Sequence, residues 1–346
     1  MMDKTMKKKA LITGITGQDG TYLAELLVQK GYEVFGMMRR TSGGPSSEVE
    51  EFHLKYGVPL LYGNMRDLST VRAVMEKVCP DEIYNLAAQS HVGVSFTCPD
   101  ETWDVNYYGV GRIVNEALQV NPDVRIYQAS TSEMFGATPA PQNEESPFAP
   151  VSPYAEAKLR AHEDFIKGYR EQRNTFTCSG ILFNHESPRR GKQFVTRKIT
   201  YSLAKLKLGM QDVLELGNLN ARRDWGYAKD YVDAMHRILH QEKPDDYVIA
   251  TGESHTVREF VDEAAKTLSI SISWEGDGVN EVGRDAEGKV IVKVNPDLYR
   301  PVEVNDLRGD ATKAKNILGW TSSITFSGLV ELMAAADYDL LLKKNI

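Results

Sequence analysis

Lys8-Lys9-Ala10-Leu11-Ile12-Thr13-Gly14-Ile15-Thr16-Gly17-Gln18-Asp19-Gly20 decides the fold. Residues 8–13 are a short apolar run, glycine recurs at 14, 17 and 20, and an amphipathic pattern follows over 21–30. This is strand, glycine turn, helix. Glycines let a backbone approach a pyrophosphate closely, and the amino end of the next helix offers unpaired N–H groups and a positive dipole end. The stretch predicts a dinucleotide site over Gly14, Thr16, Gly17, Gln18, Asp19 and Gly20.

The spacing GxxGxxG differs from the GxGxxG of ordinary Rossmann dehydrogenases and resembles the short-chain dehydrogenase/reductase superfamily. A second strand is expected over 33–38. It ends in Arg39-Arg40-Thr41-Ser42, about where an enzyme using NAD would place an acidic residue for the ribose hydroxyls. Arg39, Arg40 and Ser42 suit a 2'-phosphate and favour NADP; a solvated loop with two charges is the plainer alternative. Strands are expected over 59–63 and 82–88. Between them Asp67-Leu68 opens a helix: in the superfamily that pair contacts adenine, and a simple helix cap accounts for Asp67 equally well. Leu86, Ala87, Ala88, Gln89 and Ser90 close the fourth strand with mostly small residues, on whose backbone a flat cofactor can lie. His91 reads as a structural loop histidine, and a helix is expected around 105–120.

Residues 124–130 alternate and end in small polar groups. That predicts a buried parallel strand whose carboxyl end delivers Ser130, Thr131 and Glu133 to a crevice. Tyr154 and Lys158 follow a Ser152-Pro153 helix start and share one helix face. An ammonium there is expected to lower the phenol pKa towards working pH, giving a proton acceptor for a sugar hydroxyl. Tyr201 and Lys205 repeat the spacing without a hydroxyl-ended strand before them, and read as one lysine-rich helix face. Glu133 as a bare strand-end residue would be a solvated charge; following Thr-Ser at a tyrosine-lysine site, it reads as a second base.

The catalytic helix should run to about 171 and a strand should follow over 177–183. Alternating strands and helices imply an α/β fold, a doubly wound parallel Rossmann-type sheet. Residues 8–183 read as the dinucleotide-binding domain, its sheet completed by segments within about 226–252. Residues 184–342 read mostly as a smaller, interleaved carboxyl-terminal lobe. Stretches 184–191, 194–198 and 217–225 mix basic, amide and aromatic residues, which suits a diphosphate carrying a base and a sugar. A helix over 230–240, a strand over 247–250, a Thr256-capped helix to 268, a short Val-rich strand and two last helices complete the expectation.

The 346 residues carry a net charge of -7, which argues against sequence-independent nucleic-acid binding. Cys79, Cys98 and Cys178 are odd in number and lack metal-ligand spacing, so reduced thiols and no metal are expected. No run approaches a membrane span, and the basic start leads into a strand, not an apolar leader. A cytoplasmic protein with no membrane partner is the expectation.

Four stretches carry a more specific resemblance: Thr13-Gly-Ile-Thr-Gly-Gln-Asp-Gly20, Ser130-Thr-Ser-Glu133, Asn184-His-Glu-Ser-Pro-Arg-Arg-Gly191 and Asn220-Ala-Arg-Arg-Asp-Trp-Gly-Tyr-Ala-Lys-Asp-Tyr231. From Lys8 to about Trp320 the chain resembles the GDP-mannose 4,6-dehydratase family of extended short-chain dehydrogenase/reductases. The resemblance implies Thr131, Glu133, Tyr154 and Lys158 as the catalytic set, with His185 and Arg190 at the cofactor. It implies Asn184, Lys198, Arg223, Arg300 and Glu303 around a GDP-sugar, and Ser90, Val195 and Gly217 stand with them as candidates. The implied chemistry is oxidation at C4, loss of water across C5 and C6, and reduction at C6 with a recycled NADP. Residues 39–46 resemble a family segment that reaches a neighbouring subunit's cofactor, so a homotetramer is expected over a dimer. Glu101, Arg308 and residues 274–289 depart from the family pattern. The rivals are a dehydratase for another GDP-hexose or heptose, a 4-ketosugar reductase or epimerase, and a non-catalytic NADP-sensing module.

Overall fold

Seven short runs pair side by side in the computed structural model, which describes residues 7–42, 47–299, 302, 304 and 306–344. They are β1 (Lys9–Thr13), β2 (Glu33–Met38), β3 (Leu60–Tyr62), β4 (Glu82–Asn85), β5 (Arg125–Thr131), β6 (Thr177–Leu182) and β7 (Asp246–Ile249). Every pairing is parallel, in the order β7-β6-β5-β4-β1-β2-β3. Chain direction across the sheet reverses between β1 and β4, and an open sheet leaves its ligand crevice there, outside the carboxyl ends of the strands.

Alternation along the strands divides the core between the two faces. Ala10 and Ile12 pack with Leu23 and Leu27 of the helix Gln18–Gln29 and with Met235 and Ile238 of the helix Ala228–Leu239. Leu11 and Ile126 face the helices Leu68–Val78 and Gly109–Val120 through Val74, Met75 and Ile113. Each such buried Leu, Ile or Met contributes about 1.5–3 kcal/mol by leaving water, so both helical layers are held chiefly by apolar area. β6, covered on both faces, is buried along its whole length.

The glycine turn is tight. Gly14 has φ +67°, and a Cβ on Gly20 would lie 2.5 Å from Ile15 Cα, so both positions need glycine. β4 stops at Asn85, three residues earlier than expected, because the Thr13 hydroxyl replaces the ladder. Its oxygen accepts the N–H groups of Leu86 and Ala87, each at 3.1 Å, while it donates to Asn85 Oδ1 at 2.6 Å. The helix expected from 105 starts at Pro99 and passes through a wider π turn, Asp104–Tyr108. The helix Pro153–Ala161 likewise continues through a π turn, His162–Lys167, to Arg173.

At the β7 edge, the Asp246 N–H donates to Asp245 Oδ1 (2.8 Å) and the Asp246 carbonyl accepts from Lys313 Nζ (2.8 Å). The Val248 N–H donates to Glu144 Oε1 (2.7 Å). Burial pushes the Glu144 carboxyl above its ordinary range.

The smaller lobe packs the helices Val195–Lys207, Val257–Thr267 and Phe326–Lys344 around Leu203, Phe260 and Met333. Thr256 begins the second of these with a reciprocal cap: its hydroxyl accepts the Glu259 N–H, and Glu259 Oε2 accepts the Thr256 N–H. A four-stranded sheet, Ser273–Glu275, Val282–Arg284, Val290–Val294 and Leu214–Leu216, lies against them. Its first two strands form a hairpin within the stretch that departs from the family pattern. Alternation over Ile270, Ile272 and Trp274 before Gly276 and Gly278 is the sequence signal for it.

Candidate active site

A cavity of about 650 Å³ opens between the carboxyl ends of the strands and the smaller lobe. β5 ends in Thr131, whose Oγ1 accepts the Glu133 N–H at 3.2 Å and starts a 3-10 turn over Ser132–Met134. Ser152 caps the following helix by accepting the Ala155 N–H at 3.2 Å, with Pro153 in the first helical position. That start places Tyr154 and Lys158 on the inward face. Thr131, Glu133, Tyr154 and Lys158 all line the cavity, and all are buried.

The electrostatics differ from expectation. Lys158 does not depress the phenol: its Nζ donates to the Ala129 carbonyl at 2.9 Å, and burial pulls its pKa down to about 8. Burial likewise pushes Tyr154 up to about 12. A hydrogen bond from Thr131 and the charge of Arg190 favour the phenolate, and the charge of Glu133 opposes it. Helix spacing set the shared face correctly, but desolvation outweighs the lysine's field where both groups are shut away from water.

On the cofactor side, Gly17 is the N-cap of the helix Gln18–Gln29 and gives it no side-chain cap, leaving its amino end open to a phosphate. The side chains of Gln18 and Asp19 hold the turn to the 184–191 loop. Gln18 Nε2 donates to the His185 carbonyl (3.0 Å), and Ser187 Oγ donates to Gln18 Oε1 (2.7 Å). His185 Nε2 lies 2.8 Å from Asp19 Oδ2 and its Nδ1 2.8 Å from the Phe183 carbonyl. The carbonyl accepts, and so does Asp19 while ionised, so the arrangement favours the doubly protonated, positively charged ring. Burial opposes that charge, but Asp19 overcomes it and raises the His185 pKa; His185 in turn holds Asp19 below its ordinary value against burial.

Leu86, Ala88 and Ser90 line the cavity. Ala87 and Gln89 do not, and Gln89 is held by Asn106 through two 2.9 Å bonds. Arg39, Arg40 and Ser42 are exposed beyond β2, and Leu68 is exposed at the next helix start. Asp67 caps that helix by accepting the Ser69 N–H at 3.0 Å. These residues, like Gly14, Thr16, Gly17, Gln18 and Gly20, lie outside the cavity lining, along the carboxyl edge of the sheet. An uncapped helix end, a glycine turn and the 86–89 backbone held by Thr13 at Leu86 and Ala87 and by Asn106 at Gln89 together fit an extended dinucleotide.

Asn184, Val195, Lys198, Gly217 and Arg223 line the cavity from the smaller lobe; Arg300 and Glu303 lie outside the described residues. Arg223 Nη1 donates to the carbonyls of Arg222 (2.8 Å) and Val304 (2.7 Å), which fixes the guanidinium. Burial lowers the Lys198 pKa. Arg190 enters the same space, its guanidinium 3.8 Å from the Phe194 ring centroid.

Sequence reasoning missed two carboxylates here. Glu186 lines the cavity, accepts from Thr196 Oγ1 (2.6 Å) and sits 3.2 Å from Arg190 Nε; its period-2 relation to Asn184 was the available signal. Asp224 is fully buried and accepts the N–H groups of Thr251 (2.9 Å), Gly252 (2.9 Å) and Gly309 (3.3 Å), anchoring the turn that presents Arg223. His91 lines the cavity and caps the short helix Val92–Ser95 through Nδ1. Tyr201 and Lys205 do not line it; Lys192 and Lys205 lie over the Tyr201 ring. Among the described residues, no cluster of His, Cys, Asp or Glu could hold a metal ion, and no helix is long and apolar enough to cross a membrane.

A doubly wound parallel sheet with Thr131, Tyr154 and Lys158 gathered at its carboxyl edge, beside a glycine turn, defines an extended short-chain dehydrogenase/reductase. UDP-glucose 4-epimerase of Thermotoga maritima shares the fold with a TM-score of 0.79 at 19% identity, over 96% of this chain and 99% of that one. The family described as GDP-mannose 4,6 dehydratase matches residues 11–333, and the chain belongs to it. It is 51% identical over 348 residues to GDP-mannose 4,6 dehydratase 2 of Caenorhabditis elegans, covering 97% of this chain and 90% of the relative. It is 48% identical over 342 residues to GDP-mannose 4,6 dehydratase of Homo sapiens, covering 96% and 92%.

Proposed function

We propose that this chain converts GDP-D-mannose to GDP-4-keto-6-deoxy-D-mannose with a recycled NADP. One observation carries the reading: Glu133 shares a cavity with Thr131 and Tyr154. An epimerase or 4-ketosugar reductase needs the hydroxyl, tyrosine and lysine but no carboxylate at that place. The rival readings of a reductase or a sensing module lack such an observation; a dehydratase for another GDP-sugar shares it, and the relatives named for GDP-mannose favour mannose.

Bound NADP supplies the acceptor for the C4 hydride and later the donor to C6. Tyr154 takes the proton of the 4-hydroxyl while Thr131 orients that hydroxyl. Lys158, with one ammonium proton committed to Ala129, keeps two for ribose hydroxyls. The C4 ketone acidifies the C5 proton, which Glu133 removes. The 6-hydroxyl departs, and the same carboxyl returns a proton to it, so water leaves as the C5–C6 double bond forms. Hydride at C6 and a proton at C5 complete the product, and the proton delivered at C5 balances the one taken by Tyr154. Arg190, Lys198 and Arg223 supply the positive charge that a nucleoside diphosphate requires.

Incubating the protein with GDP-mannose and NADP should yield a product lighter by one water, with the cofactor oxidised at the end. A sugar of unchanged mass would replace the dehydratase reading with an epimerase.

Arg39→Ala or Arg40→Ala should weaken NADP more than NAD, since a charged hydrogen bond to the 2'-phosphate is worth about 1.5–3 kcal/mol, or about 10- to 150-fold. Equal affinity of the parent protein for both cofactors in titration calorimetry would remove the basis of this assignment. We also infer a homotetramer in which the 39–46 loop, partly outside the described residues, reaches a neighbouring cofactor. A sedimentation mass of one or two chains at micromolar concentration would count against it. A cytoplasmic location fits the three free thiols Cys79, Cys98 and Cys178.

A further inference from the structure

Asp337 lies on the last helix, Phe326–Lys344, which takes no part in the chemistry above, and it is 0% exposed. Both its carboxylate oxygens accept from Arg197 Nε at 2.7 Å, Oδ1 is ion-paired with Arg197 Nη2 at 2.6 Å, and Oδ2 accepts from Thr200 Oγ1 at 2.6 Å. Arg197, 6% exposed, turns its remaining nitrogen Nη1 away from the helix. That nitrogen donates to the main-chain carbonyls of Pro188 and, at 3.0 Å, of Arg190.

A buried ion pair adds little stability, because desolvation offsets the attraction and apolar residues of equal volume do as well. What it does supply is direction. A guanidinium is planar, so with Nε and Nη2 engaged by the carboxylate, Nη1 can point only one way. It points at the 188–190 main chain, which carries the Arg190 side chain into the cavity. Arg190 Nε is 3.2 Å from Glu186 Oε2 yet makes no aligned hydrogen bond, and its guanidinium rests on the face of Phe194. Main-chain placement therefore acts together with these two side-chain contacts in setting where its charge sits.

We propose that Asp337 and Arg197 are a positioning pair for Arg190, tying the last helix to the cofactor and sugar site through the carbonyls of Pro188 and Arg190. The inference rests on the reading of Arg190 as part of that site. The charge of Arg190 acts on Tyr154 together with the Thr131 hydroxyl and the opposing Glu133, and it also acts on Asp19 and His185. Lys158 shares the Tyr154 helix and is turned to Ala129.

The test is a double-mutant cycle between Asp337→Asn and Arg190→Ala, read as NADP affinity, kcat and KM, with thermal melting recorded beside them. Asp337→Asn alone should lower kcat/KM on the order of 10- to 100-fold, the scale expected when a binding group is displaced by about 1 Å. In the Arg190→Ala background it should cost nothing more, because the group it positions is gone. The pH profile of the first oxidation should move to higher pH in both single variants. If Asp337→Asn does not fold, Arg197→Lys serves in the same cycle: one ammonium keeps the charge but cannot hold the carboxylate and both carbonyls. An equal further loss in the Arg190→Ala background would make the pair merely structural and overturn the proposal. Parent-like kinetics in Asp337→Asn would do the same. If Arg190→Ala is itself silent, the placing of Arg190 in the site fails and takes the proposal with it. Loss of water from GDP-mannose in the parent protein tests the dehydratase reading separately.

Discussion

Glu133→Gln is expected to separate oxidation from dehydration. Gln keeps the size of the side chain and its capacity to accept a hydrogen bond, but it cannot take the C5 proton. The 4-hydroxyl would still lose its proton to Tyr154, so reduced cofactor should build up with GDP-mannose and persist. Loss of a positioned base typically costs ~10²- to 10⁴-fold, which is about 3 to 5.5 kcal/mol of barrier. Turnover should nearly vanish while the first hydride step survives. The measurement is reduced-cofactor absorbance followed beside C5 deuterium exchange. A Gln variant that makes the deoxy sugar near the parent rate, or still exchanges C5, leaves Glu133 as an ordinary strand-end charge and returns the choice to a reductase or epimerase.

Tyr154→Phe should give the opposite pattern, with neither reduced cofactor nor product. The ring stays in its buried place and only the hydroxyl is lost. Thr131 then loses a partner, a cost to folding of about 1 kcal/mol. The oxidation should slow by ~10²- to 10⁴-fold, the usual cost of losing a positioned proton acceptor. The pH response gives a second check. Burial holds Tyr154 up at about 12, and only its deprotonated form accepts a proton, so oxidation in the parent should speed up as pH rises from neutrality. In the Phe variant that rise should disappear. Single-turnover absorbance at several pH values decides the matter: a Phe variant that reduces cofactor as fast as the parent would rule Tyr154 out as the base.

What could be seen in the sequence was whatever depends on near neighbours along the chain. The glycine turn, the β2 strand over Glu33–Met38, the hydroxyl-ended β5 strand and the Ser152-Pro153 helix start are local patterns, and the last two bring Thr131, Glu133, Tyr154 and Lys158 to one cavity. The charge state of the Tyr154–Lys158 pair was not visible, because it depends on the Ala129 carbonyl and on exclusion of water, neither of which helix spacing records. Asp224 and Asp337 were hidden for the same reason. Their partners lie 27 and 140 residues away in the chain, at Thr251 and Arg197. The early end of β4 follows from one hydroxyl, Thr13, competing for the Leu86 and Ala87 amides, and apolar periodicity carries no sign of it.

The β7 edge has a consequence for how copies of the chain can meet. A sheet edge normally displays a row of donors and acceptors on which another strand can add. Here Asp245, Lys313 and Glu144 already satisfy the Asp246 N–H, the Asp246 carbonyl and the Val248 N–H. The opposite edge, β3, is three residues long, too short to template a lasting ladder. The seven-stranded sheet is thus blunted at both ends, which works against strand-to-strand aggregation through it. Around this sheet, ordered self-association is left to the helical faces and loops, where side-chain complementarity, not generic backbone pairing, selects the partner.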